Sequence, residues 1–197
     1  MGMAAYRSGD HATARAQLEE SLRRFQEQGD VPYTSLALNA LQGMLSTQSE
    51  QELAHSLYQQ SLPLMQQARN LGALGLFQIN MGDLYHQVGE EHMAQASYRE
   101  GLRLWQDMQR GGNELGIVKG LAGLAEVAAA QGQAERAGRL FGAAARLLPA
   151  TNSYREEVNR RSAAARVHLD AATFEAGWAA AQTMIEEQAM TEALQDA

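Results

Sequence analysis

Apolar residues recur along this chain at intervals of three and four, the spacing of a helix face, and no stretch alternates with period two. Residues 115–148, LGIVKGLAGLAEVAAAQGQAERAGRLFGAAARLL, carry two such faces in succession. The first is Ile117, Leu121, Leu124 and Ala128, with Lys119 and Glu126 off the stripe. The second is Ala137, Leu140, Phe141, Ala144 and Leu148, with Glu135, Arg136 and Arg139 on the other side. Between them Gly132, in Gln131-Gly132-Gln133, can take positive φ and end a helix. Pro149 stops the second helix. The pattern predicts a helical hairpin whose small residues (Gly120, Gly123, Ala125, Ala137, Ala144) allow close approach. One hairpin cannot bury both of its sides, so copies are expected upstream.

They are found. After a short Met3–Ser8 segment ending at Gly9-Asp10, a helix over 12–28 points Ala14, Leu18, Leu22 and Phe25 inward and closes at Gly29-Asp30. A helix over 33–46 carries Leu38, Leu41 and Leu45, followed by a polar turn at 47–50. The next, 52–70, carries Leu53, Leu57, Tyr58, Leu62 and Met65, with Pro63 as a point of possible kinking. Helices over 73–88 (Phe77, Met81, Leu84, Tyr85, Val88) and 91–109 (Ala94, Tyr98, Leu102, Trp105) flank Gly89, and Gly111-Gly112 breaks the chain before the last hairpin. Leu18, Tyr58, Tyr98 and Phe141 then fall at separations of 40, 40 and 43 residues. Leu22, Leu62, Leu102 and Ala145 keep step, as do Phe25, Met65, Trp105 and Leu148. The turns at Gly9, Ser49, Gly89 and Gly132 keep the same register.

Composition narrows the class. The chain has 197 residues, 45% hydrophobic, with three prolines and no cysteine. That suits a helical domain without disulfides or thiolate metal sites. Net charge of −7 and a pI near 5.2 argue against direct nucleic-acid or anionic-membrane binding. No apolar run reaches the ~18 residues of a membrane span. The start, MGMAAYRSGD, lacks the basic-then-apolar order of a signal peptide, and a cytoplasmic location is expected.

The segment Met81-Gly82…Tyr85…Ala94…Tyr98…Gly101 resembles the tetratricopeptide pattern, in which a small residue sits opposite a large one where two helices pack. The fold expected is all-α: a tetratricopeptide-like, right-handed superhelical solenoid of antiparallel helix pairs with a concave face. Its repeats are placed at about 1–30, 31–70, 71–112 and 113–149, making 1–150 the repeat region. Residues 151–197 are expected to form C-terminal capping helices. In that tail Tyr154, Val158 and Val167 point inward on one helix, Phe174 and Trp178 share a face of another, and Thr183-x-x-Glu186 reads as a capping box for the last.

A wider resemblance follows from GLAGLAEVAAAQGQAERAGRLFGAAARLLPA (120–150) and YREEVNRRSAAARVHLDAATFEAGWAAAQTMIEEQAMTEAL (154–194), with LEESLRRFQEQGD (18–30) upstream. Together they resemble the C-terminal repeats of large bacterial signalling ATPases, including LuxR-type and MalT-like transcriptional regulators. The resemblance implies a sensor or adaptor that binds an inducer or partner protein and serves an ATPase and an output domain placed elsewhere. The chain departs from that family at 149–153, where the linker is short. No G-x-x-x-x-G-K-[ST] loop occurs in the sequence.

Chemistry is sparse. His11, His55, His86, His92 and His168 include no H-E-x-x-H pair, and there is no G-x-S-x-G elbow. Glu90-Glu91-His92 reads as a solvated helix start, Glu19-Glu20 and Glu156-Glu157 as exposed charge. Ser21 and Ser61 read as small packing positions. Tyr98, Trp105 and Phe141 read as core rather than a ligand cage. No enzyme activity, cofactor or metal is expected. The concave groove is the one site the architecture itself predicts. Mapping its positions gives Asn39, Gly43, Ile79, Asp83, His86, Lys119, Ala122 and Glu126. Of these, Asn39, Asp83, His86, Lys119 and Glu126 suit a protein or peptide segment; the plainer reading is ordinary solvated surface. A small-molecule inducer site and a structural or oligomerisation module remain the alternatives.

Overall fold

The computed structural model describes residues 11–42, 48–67, 71–107, 114–149 and 151–195, and among them the only regular elements are ten α-helices. They are α1 (His11–Gln28), α2 (Val31–Gln42), α3 (Gln48–Gln67), α4 (Leu71–Gln87), α5 (Glu91–Asp107), α6 (Glu114–Ala130), α7 (Ala134–Leu147), α8 (Tyr154–Arg166), α9 (Ala171–Ala181) and α10 (Glu186–Leu194). The fold is an all-helical, tetratricopeptide-like solenoid. Successive helices pack on one another from α1 to α7, and α2, α4 and α6 also pack side by side as an inner row.

The forty-residue spacing is a packing rule. Leu18, Tyr58, Tyr98 and Phe141 are all buried, as are Leu22, Leu102 and Ala145 of the second column and Met65, Trp105 and Leu148 of the third. Large residues of these columns rest on glycines. A methyl group on Gly82 or Gly123 would strike the Tyr98 ring, and one on Gly75 or Gly116 the Trp105 ring. Ser61 is buried, donates to the Leu57 carbonyl at 2.8 Å and accepts from Gln26 at 2.8 Å, a structural role.

Among the described residues glycine ends three helices. Gly29, Gly89 and Gly132 have φ of 67°, 82° and 73°. In each case the following residue donates back to the carbonyl five earlier: Asp30 to Phe25, Glu90 to Tyr85, and Gln133 to Ala128. This satisfies carbonyls that the helix end leaves open. Ser49 does not share this role, because α3 already starts at Gln48 and Ser49 lies in its first turn. Gly9, Gly43 and Leu45 lie outside the described residues.

Other boundaries also differ from expectation. Helix α2 begins at Val31, with Pro32 in its first turn, where the missing N–H has no intrahelical partner to lose. Helix α3 runs through Pro63. Val88 is exposed because α4 ends at Gln87, and Val167 is 75% exposed because α8 ends at Arg166. Asp170 is the N-cap of α9, accepting from the Thr173 N–H at 2.8 Å; the Thr173 side chain first, and then this N–H, hold its carboxyl below the usual range. The box at the last helix is formed by Gln188, whose Oε1 accepts from the Ile185 N–H at 3.0 Å, and not by Thr183 and Glu186.

The tail grips the last repeats on several sides. Helix α8 packs along α6 and α7, extending the inner row by one helix. Helix α9 lies against α7 with backbone in contact: a methyl on Gly138 would strike the Phe174 carbonyl, and one on Gly177 the Glu135 carbonyl. Phe174 is buried, its ring 6.4 Å from Phe141 and 6.3 Å from Trp178. Helix α10 crosses α5, α6 and α7, where Arg99 and Arg136 donate to the Gln195 carbonyl and Arg139 pairs with Glu192 at 2.9 Å.

Candidate functional site

The inner row α4, α6 and α8 borders a cleft of about 600 Å³. Helical spacing aims its lining. Asp83 and His86 are three apart near the end of α4; Lys119 and Glu126 are seven apart on α6; Tyr154 and Arg161 are seven apart on α8. Each pair therefore shares a face, and the three faces meet. Gln87, Ser153 and Glu157 complete the wall.

Four of the five groove residues expected from sequence, Asp83, His86, Lys119 and Glu126, line this one cleft. The side chain of Asn39 lies outside the described residues. Ile79 and Ala122, also mapped to the groove, are fully buried in the core. Ile79 fills the space left by Gly101 and Gly120. Helix α6 is buried on nearly every side, because α4 and α5 lie on one flank and α7 and α8 on another.

The centre is a charged knot. Arg161 forks onto Glu126, its Nε donating to Oε1 at 2.7 Å and its Nη2 to Oε2 at 2.5 Å. Nη1 donates to the Tyr154 hydroxyl at 3.1 Å, and Nη2 stands 3.9 Å from Asp83 Oδ1. The Tyr98 hydroxyl, reaching up from the core, donates to the same Asp83 oxygen at 2.7 Å. His86 Nδ1 lies 2.9 Å from Glu91, and its Nε2 lies 3.9 Å from Glu126. Lys119 Nζ sits 5.8 Å from the centre of the Tyr154 ring, a cation–π distance.

Titration follows this layout. Burial pushes the Asp83 carboxyl above its ordinary range, more than Arg161 and the Tyr98 hydroxyl pull it down. Burial, then the nearby Asp83 charge, pushes the Tyr98 hydroxyl well up. Burial works against the Arg161 charge, but Glu126 and Asp83 outweigh it and hold the guanidinium firmly protonated. The Arg161 side chain is only 15% exposed and that of Glu126 20%. Exposed pairs such as Arg15–Glu19 and Arg24–Glu20 contribute about 0.3–0.5 kcal/mol each. Losing one partner of a shielded bidentate pair costs several times more, because the other charge is stranded.

Four lining residues, Ser153, Tyr154, Glu157 and Arg161, come from the tail that the sequence pattern assigns to a cap. A signal existed. Tyr154, Val158 and Arg161 follow the i, i+4, i+7 rule, so an arginine stands on an inward face. Such a charge needs a carboxylate, and Glu126 falls off the apolar stripe of its own helix. Glu91, read as solvated, instead faces His86. Among the described residues no group of three or more His, Asp or Glu is placed to hold a metal ion, and no helix is long and apolar enough to cross a membrane.

Comparison with known families gives a tetratricopeptide repeat match over residues 1–67, so this part of the chain is supported as a tetratricopeptide repeat region. Neither curated proteins nor solved structures give a match. Tetratricopeptide repeats generally mediate protein–protein interaction. The matched region ends before α4, and the cleft lies wholly beyond it.

Proposed function

We propose that this chain is a non-enzymatic recognition module that binds a protein or peptide segment in the cleft between α4, α6 and α8. The supporting observation is the convergence of Asp83, His86, Lys119 and Glu126 with Tyr154 and Arg161 around one open cleft on the inner helix row. Repeat solenoids use such inner faces as extended binding surfaces. Polar groups held by rigid helices can pair with a peptide backbone and with charged side chains at little ordering cost. The resemblance of residues 120–194 to the repeats of bacterial signalling ATPases and transcriptional regulators supports a role as their sensor or adaptor part. In the same reading α9 and α10 cap the array.

The test is selection of peptides from a displayed random library against the full chain, followed by titration. Peptides bound by the wild type are expected to lose at least about tenfold in affinity, roughly 1.4 kcal/mol, to the Asp83→Ala/His86→Ala/Lys119→Ala variant. Selected peptides that bind both proteins equally would place recognition elsewhere. A metabolite that raises the melting temperature while no peptide is selected would favour an inducer-sensing role, since a ligand of the folded state must stabilise it.

A further inference from the structure

The knot at the centre of the cleft already holds a ligand-like group. A guanidinium sits in a corner made by α4 and α6, its fork closed on Glu126 and one nitrogen near Asp83, but it is delivered by α8. The corner itself is built without α8. Tyr98 fixes Asp83 from below, and the Tyr98 ring is seated against Gly82 and Gly123.

Helix α8 is lightly anchored for an element of the inner row. Of its thirteen residues, Val158 and Ser162 are the buried ones. Tyr154 and Ala165 pack partly buried against the core, Arg155 donates to the Leu148 carbonyl, and Arg166 pairs with Glu175 of α9. The helix ends in a turn at 167–170 with Val167 exposed. Arginine contacts therefore supplement a small apolar footing.

We propose that the Glu126–Asp83 corner is an arginine-recognition site, filled in this state by the chain's own Arg161, and that the partner segment supplies an arginine that takes its place. This rests on the groove-binding reading above and names the partner's chemistry. Removing Arg161 without replacement strands Glu126 and leaves Asp83 with less compensation, which is strongly unfavourable. Exchange for another guanidinium leaves both carboxylates paired as before. A lysine cannot do the same, because its ammonium is a point charge and cannot close a fork on two carboxylate oxygens. Asp83, whose carboxyl burial holds above its usual range, is incompletely neutralised by Arg161 at 3.9 Å and gains from a closer cation.

The experiment titrates the full chain with fluorescein-labelled, end-blocked hexapeptide mixtures whose central residue is fixed as Arg, Lys, citrulline or Glu. Wild type is expected to favour the arginine mixture. Arg161→Ala, folded by circular dichroism at the assay temperature, is expected to bind that mixture about tenfold more tightly, because the competing internal group is gone. Adding Glu126→Gln to that variant is expected to erase the gain. Where Arg161→Ala melts too low, Arg161→Lys carries the test with a gain of about threefold, since one ammonium contact competes less well than a fork. Equal or weaker binding of the arginine mixture to the Arg161 variant makes Arg161 a fixed wall and overturns the inference. Peptide binding that needs Asp83, His86 and Lys119 but shows no preference for arginine overturns it while leaving the groove-binding reading intact. No binding by any mixture removes both.

Discussion

Helices α8 and α9 are neighbours in sequence and are held by opposite means. Helix α9 touches α7 backbone to backbone through Gly138 and Gly177, with Phe174 buried beside Phe141. Helix α8 lies on α6 and α7 with Val158 and Ser162 buried and an arginine in a cleft. The first attachment is mainly apolar and tightly fitted, with charge added only at its edges, where Arg166 of α8 pairs with Glu175 and lies 5.4 Å from the Phe174 ring centre and Arg146 donates to the Gln182 carbonyl. The second depends on charge. Adjacent elements of one tail can thus differ in the conditions under which they let go, and the separation falls at the turn over residues 167–170.

The sharpest way to break the contrast is at the glycines. Gly138→Ala puts a methyl group into the Phe174 carbonyl, a backbone atom that cannot swing aside. It is expected to cost about 3 kcal/mol, the upper part of the range for overpacking, and to lower the melting temperature by several degrees. An unchanged melting curve would refute the interlock. The next effect in size concerns α8. Arg161→Ala is expected to cost about 2 kcal/mol, below the figure for a fully buried pair because both side chains keep some solvent contact. Hydrogen exchange should then quicken across 154–166 while 171–181 stays protected. In the wild type, 0.5 M salt should shift exchange in the same direction but less; equal responses in both helices would contradict the division.

The smallest effect is in pH. Burial raises the Asp83 carboxyl, so the folded chain holds that proton more tightly than the unfolded chain does. The resulting stability is complete below the ordinary carboxylate value, about 4, and is lost as pH rises through the raised folded value. Asp83→Asn keeps an oxygen for the Tyr98 hydroxyl and removes the titration. Its melting temperature should vary less with pH just above the ordinary carboxylate range than that of the wild type. An identical pH profile would mean that Asp83 titrates as an exposed acid.

Much of this was legible from spacing. Tyr58, Tyr98 and Phe141 could be aligned because a core position in a stacked repeat tolerates only a narrow range of size and polarity, and that constraint recurs with every copy. Gly89 and Gly132 could be placed at turns because a left-handed residue after a helix is cheapest as glycine. The edges of the groove were less legible. Ile79 and Asp83 are one turn apart on α4, yet one is fully buried and the other lines the cleft, and the crossing of α5 and α6 decides which. Arg161 was missed for a different reason. Periodicity states which side of α8 faces inward but not what it faces, and the pairing with Glu126 spans 35 residues and two reversals of the chain. Val88 and Val167 were misplaced because each lies one residue beyond a helix end, where the periodic rule no longer applies.

Tyr98 joins these two levels. Its ring is clasped between Gly82 of its own hairpin and Gly123 of the next, and its hydroxyl carries Asp83. The ring is therefore a gauge pin set across the joint between two repeats. If the solenoid flexes so that α4 and α6 slide past each other, the pin must tilt, and the carboxylate at its tip is displaced or released. One side chain thus sets both the fit of the repeat joint and the position of the cleft carboxylate.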